Sequence, residues 1–80
     1  MFSMENNIVG ARTRLARRRM SPPLSQVDLA ARLQLLGWDI GRSGIAKIET
    51  GRRQVTDIEA LHLARALGVS IAWLYSEDEP

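Results

Sequence analysis

Apolar positions in this chain recur at spacings of three and four and never alternate convincingly, so helices are expected and strands are not. Val9, Thr13, Ala16 and Met20 make the first stripe, a thin one. Arg12, Arg14, Arg18 and Arg19 lie off it, and Arg17 borders it. Asn6 or Asn7 can cap this helix by accepting a bond from its first unpaired amides. Ser21-Pro22-Pro23 stops it, because neither proline donates an amide and each restricts the residue before it.

A second helix is expected from Ser25, with Asp28 completing an approximate capping box. Leu29, Ala30, Leu33 and Leu36 are its apolar face, while Gln26 and Arg32 lie off it. Gly37-Trp38-Asp39-Ile40-Gly41 then reads as an irregular turn anchored inward by Ile40. In residues 42–49, Ile45 and Ile48 share one helical face; Ser43, Ala46 and Lys47 point the other way, with Arg42 at the flank. Thr50-Gly51 ends this third helix with a glycine suited to the left-handed conformation.

Thr56-Asp57-Ile58-Glu59 is a capping box opening a fourth helix, with Ala60, Leu61, Ala64 and Leu67 inward and Gly68 at its end. Ser70 caps a last short helix, Ile71 to Tyr75. The expected architecture is all-α, five short helices in one compact domain over residues 8–75. It lies between a flexible lead-in, residues 1–7, and an acidic tail, residues 76–80.

Composition narrows the class. Eighty residues are near the lower limit for a domain that folds without disulfides or metal, and there is no cysteine to supply either. Apolar runs of only a few residues cannot span a membrane, and arginines interrupt the first twenty residues where a signal peptide would be apolar. The expected location is the cytoplasm. Net charge is +2, yet residues up to Arg53 balance at +6 and those from Gln54 onward at −4. That split points a basic N-terminal portion at a polyanion and an acidic end away from it.

Catalytic chemistry finds no foothold. His62 is the lone histidine, expected at the surface of the fourth helix with no second ligand at metal spacing. Asp28, Asp39, Asp57 and Glu49 suit caps, turns and an ion pair, and the glycines match no phosphate-binding loop. No catalytic residue, metal site or small-molecule cofactor is expected.

Several ordered motifs carry a resemblance. Leu24-Ser25-Gln26, Leu29-Ala30-Ala31-Arg32-Leu33, and Arg42-Ser43 with Ile45, Ile48-Glu49 and Gly51 resemble lambda-repressor/Cro-like helix-turn-helix domains. Leu63-Ala64-Arg65-Ala66-Leu67-Gly68-Val69-Ser70, then Trp73-Leu74, is similar to that family's closing helices. The likeness runs from about Ile8 to Tyr75. It implies a five-helix DNA-binding fold in which the second and third helices form the reading unit. The chain departs from the pattern in three places: a stretch from Leu33 to Gly41 about five residues longer than the usual arrangement with its turn of three or four, so that the second helix is extended, the turn enlarged, or both; a first connection longer by about two at Ser21-Pro22-Pro23; and glycines at 41 and 44. A subgroup with a similar Gly-Trp-Asp-Ile turn accommodates the first of these.

The resemblance implies roles for residues. Arg42 can donate two parallel bonds to a guanine or hold a phosphate. Ser43 can meet a base or a phosphate, Lys47 a guanine or the backbone, and Ala46 a thymine methyl. Gln26 is implied to touch a phosphate and support the reading helix, and Arg52 and Arg53 fit backbone contacts beside the groove. Arg17 is implied to pair internally with Glu49, with Arg18 as the alternative if the longer first connection shifts the register. Trp38 either covers the core or packs along DNA or a partner, and Trp73 and Tyr75 finish the core. In relatives this last end commonly forms a two-fold dimer that sets two reading helices about 34 Å apart on one face of double-stranded DNA.

Two readings follow. One is a sequence-specific DNA-binding transcriptional regulator, a bacterial or prophage repressor acting as a homodimer, without an effector domain of its own. The other is a protein-interaction module on the same fold, such as an antitoxin or anti-regulator adapter. A third, an accessory domain of an enzyme, draws little support from a Glu-Asp-Glu-Pro end with no linker.

Overall fold

Side-chain caps set three of the helix starts. Ser25 Oγ accepts from Asp28 N at 3.0 Å and Ser70 Oγ from Trp73 N at 3.0 Å. Thr56 and Glu59 close a reciprocal box, Glu59 N donating to Thr56 Oγ1 at 3.2 Å and Thr56 N to Glu59 Oε1 at 3.1 Å. The computed structural model describes residues 5–76, and side chains from residue 8 onward. Its helices are α1 (Glu5–Arg19), α2 (Gln26–Leu35), α3 (Arg42–Glu49), α4 (Asp57–Leu67) and α5 (Ile71–Leu74). No strand occurs among the described residues. The acidic tail after Ser76 and residues 1–4 of the expected lead-in lie outside them; Glu5 to Asn7 belong to α1.

The core is built where these helices cross. Leu29 and Leu33 of α2, Ile45 and Ile48 of α3, Leu63 of α4, Leu74 of α5 and Thr13 of α1 are fully buried. Helix α1 packs on α3, α4 and α5, while α2 packs on α3 and α4, so α3 is clasped between the first two helices. Arg32 of α2 donates to the Ala66 carbonyl at 2.9 Å, tying α2 to the last turn of α4. Gly51 and Gly68 end α3 and α4 with positive φ, as expected.

Five expectations need correction. Because α1 already begins at Glu5, Asn6 and Asn7 lie within the helix and not at the N-cap position before it. Arg12 is buried: α5 covers that side of α1, its Nε donates to the Trp73 carbonyl at 3.1 Å, and its guanidinium lies 3.8 Å from the Trp73 ring centroid. On α4 the buried arc runs through Leu63, facing α1, α2 and α5 together, and leaves Leu61 exposed. Helix α5 is a single turn that buries Leu74, half-buries Trp73 and leaves Tyr75, its C-cap, exposed. His62 is half-buried beneath the long turn, its ring 6.3 Å from that of Trp38.

Candidate nucleic-acid interface

The long connection between α2 and α3 is ordered by its own bonds. Leu36, Gly37 and Trp38 turn back on the end of α2, their amides donating to Leu33, Gln34 and Leu33 carbonyls at 3.0 Å. Gly37 takes φ +96°, a conformation that L side chains rarely adopt. Gln34 Nε2 donates to the Ile40 carbonyl at 2.9 Å, joining the helix to the far side of the turn. Ile40 is buried, and Trp38 is half-buried against the core, the covering role of its two. Helix α2 runs to Leu35 and the six residues 36–41 form the connection, about two or three more than the usual turn, so the extra length is shared between a longer α2 and an enlarged turn.

That turn explains a glycine. A β-carbon on Gly44 would stand 2.6 Å from Ile40 Cγ1 and 2.9 Å from Cδ1. The anchor of the turn therefore lies directly on the first turn of α3, where any larger residue would require Ile40 to shift.

Helix α3 divides by face. Ile45, Ile48 and Glu49 are buried, whereas Arg42, Ser43 and Lys47 are exposed and Ala46 is half-buried. Unlike α2, α4 and α5, it has no side-chain cap: Gly41 leaves its first amides facing outward, and no acid stands in its first turn.

The far end of α3 is held by an ion pair. Arg17 Nε donates to Glu49 Oε2 at 2.8 Å and Nη2 to Oε1 at 2.9 Å, with side-chain exposures of 11% and 2%. Its third nitrogen, Nη1, donates to the Leu24 carbonyl at 3.0 Å, and the Leu24 amide returns a 3.0 Å bond to the Arg17 carbonyl. The register question raised by the prolines is thereby answered in favour of Arg17; Arg18 points outward. The hydrogen bonds to Glu49 push the Arg17 pKa above its ordinary value against the cost of desolvation, and the neighbouring carboxylate charge adds to the rise. Gln26 Nε2 donates to Glu49 Oε1 at 3.1 Å, so the start of α2 bears on the same carboxylate.

The loop arginines part company. Arg52 is exposed, with its amide bonded to the Lys47 carbonyl at 2.8 Å. Arg53 turns back: its Nη2 lies 3.0 Å from Glu59 Oε2 and its guanidinium 5.4 Å from the Trp38 ring centroid.

Around these residues runs an open cleft of about 470 Å³, bounded by Arg14 and Arg18 of α1, Ser25 and Gln26 at the start of α2, and Arg42 and Ala46 of α3. The structure thus gathers Arg17, Gln26, Arg42, Ala46 and Glu49 in one place. Sequence reasoning misses Gly10, whose absent side chain admits the Ile48 carbonyl of α3. A glycine in the middle of a helix costs stability relative to alanine, about 0.5–1 kcal/mol, and that cost is the signal of a close approach. Gln34 carries no such signal, being one more polar residue at the end of a helix.

A fold in which a capped helix, an ordered turn and a second helix with an exposed basic face sit on three supporting helices defines a helix-turn-helix protein. Comparison with protein families matches residues 15–74 to the helix-turn-helix family, and the chain belongs to it, within the lambda-repressor-like class of DNA-binding regulators. No curated protein and no solved structure matches the chain. No His, Cys, Asp and Glu cluster able to hold a metal ion occurs among the described residues, and none of their helices is long and apolar enough to cross a membrane.

Proposed function

We propose that this chain is a sequence-specific transcriptional repressor that lays α3 in the major groove. The observation that carries the reading is the division of α3, whose buried isoleucines and glutamate leave Arg42, Ser43 and Lys47 together on its free face. Arg42, Ser43, Ala46 and Lys47 read base edges, Arg42 by paired donation to a guanine. Gln26 and Arg52 hold phosphates on either side. Arg53 joins them only by exchanging Glu59 for a phosphate.

The repressor acts as a homodimer through the α4–α5 end. There, exposed Leu61 and Tyr75 flank Ile71 and Ala60 around a shallow cleft of about 290 Å³, an apolar surface in need of a cover. A second reading, a protein-interaction adapter on the same fold, draws support from Val27 and Leu35, which leave apolar surface exposed on α2 at 58% and 88%.

Selecting bound duplexes from a random pool tests the reading. A regulator recovers a defined motif, and a homodimer recovers one with two-fold symmetry, its half-sites about one helical turn apart. Recovery of no motif from well-folded protein would refute sequence-specific reading.

A further inference from the structure

The recognition unit accounts for α2 and α3 but leaves three cations of α1 without a role, and two of them, Arg14 and Arg18, border its cleft. Arg14 and Arg18 stand one helical turn apart and both are exposed. Neither makes an ion pair with any described residue. Like charges at this spacing repel, so the arrangement works against helix formation and calls for a compensating anion.

The surroundings supply none from within. Both side chains border the cleft in front of α3, and both also border the neighbouring depression beside Ala11 and Leu15. Glu49 is the one carboxylate in either lining, and it is already bonded by Arg17 and Gln26. The cleft therefore carries the guanidinium groups of Arg14, Arg18 and Arg42 with no counter-charge of its own. It also receives the N-terminal end of α2, whose dipole favours an anion.

We infer that Arg14 and Arg18 form a second phosphate-binding strip, through which α1 grips the DNA backbone beside the groove that α3 occupies. The inference rests on the DNA-reading proposal and extends it to a helix outside the reading unit. Two guanidinium groups whose β-carbons lie about 5–6 Å apart along a helix can each donate in pairs to phosphate oxygens. Their contribution is independent of base sequence. Arg19 provides the contrast: it borders an apolar depression with Met20, Leu67, Val69 and Trp73 and not the cleft.

The test is duplex binding by the whole chain across a salt series, for wild type, Arg14→Gln, Arg18→Gln, the double variant and Arg19→Gln. Thermal unfolding of each establishes that these exposed replacements leave the fold intact. Each lost phosphate contact should lower the slope of log K against log salt by about 0.9, and the double variant by about 1.8. The loss should be alike on the selected and random duplexes, while Arg19→Gln keeps the wild-type slope. An unchanged slope in the double variant, or an equal fall with Arg19→Gln, overturns the inference while leaving the reading helix in place. If wild type itself shows no salt-dependent DNA binding, the DNA-reading proposal fails, and the strip fails with it.

Discussion

The side chain of Ile40 lies where a side chain on Gly44 would begin, its Cγ1 2.6 Å from the position of a β-carbon there. Through this contact the lengthened turn and the first turn of the recognition helix share one volume. Replacing Gly44 with alanine adds helix propensity of about 1 kcal/mol but forces Ile40 out of its place. A double-mutant cycle of Gly44→Ala and Ile40→Ala should therefore show a coupling of about 0.5–3 kcal/mol in urea unfolding. Additive free energies would mean that the turn and α3 are not packed in this way.

Gly10 meets a harder obstacle. The neighbour of its missing β-carbon is the Ile48 carbonyl, a backbone group that cannot rotate aside. Gly10→Ala should lose about 1–3 kcal/mol of stability through overpacking, despite the better helix former. Denaturant titration checks the sign: a gain in stability would show that α1 and α3 have room to spare.

The Arg17–Glu49 pair should behave as a buried one. Removing the charged partner in Arg17→Ala leaves Glu49 uncompensated and should cost about 3–5 kcal/mol. Lysine should not restore it, since one ammonium cannot reproduce bonds made by three guanidinium nitrogens. Because the folded-state pKa of Arg17 is raised, its contribution is complete below the unfolded value and fades only as pH climbs through the folded one. Both lie far above neutral pH. The stability difference between wild type and Arg17→Met should thus contain no contribution from Arg17 titration near neutral pH, and an arginine-linked transition there would contradict the geometry.

Base and phosphate contacts separate by specificity. Arg42→Ala should relax discrimination at one base position by about 1–3 kcal/mol. Arg52→Ala should weaken every sequence alike and flatten the salt dependence by about one phosphate. Competition binding with single-base variants of the selected site distinguishes the two, and identical profiles would dissolve the division between them.

The helices and their caps are legible because each depends on a short stretch of chain: Thr56 and Glu59 are three residues apart and need nothing else. Ile45 and Ile48 are legible for the same reason, one periodic face against one core. What escapes is burial imposed by a second neighbour. Arg12 looks like a surface residue until α5 arrives over it, and Leu61 looks like a core residue until α4, packed on α1, α2 and α5, proves to bury Leu63 instead. Within the interface, the family pattern indicates Arg17 and Glu49, but not the Leu24 bonds that close the proline connection. Nor does it distinguish Arg52 from Arg53, since the difference lies in the reach of Glu59 from α4.

Those Leu24 bonds have a practical consequence. Arg17 and Leu24 grip each other through both main chain and side chain, so the ends of the intervening segment are fastened independently of what runs between them. Ser21, Pro22 and Pro23 are exposed and border none of the cleft in front of α3. Lengthening such a loop is cheap, about 0.6 kcal/mol for each doubling. The peptide between Pro22 and Pro23 is accordingly a place to graft a fluorophore-bearing loop or a whole reporter domain without disturbing the aim of the recognition helix.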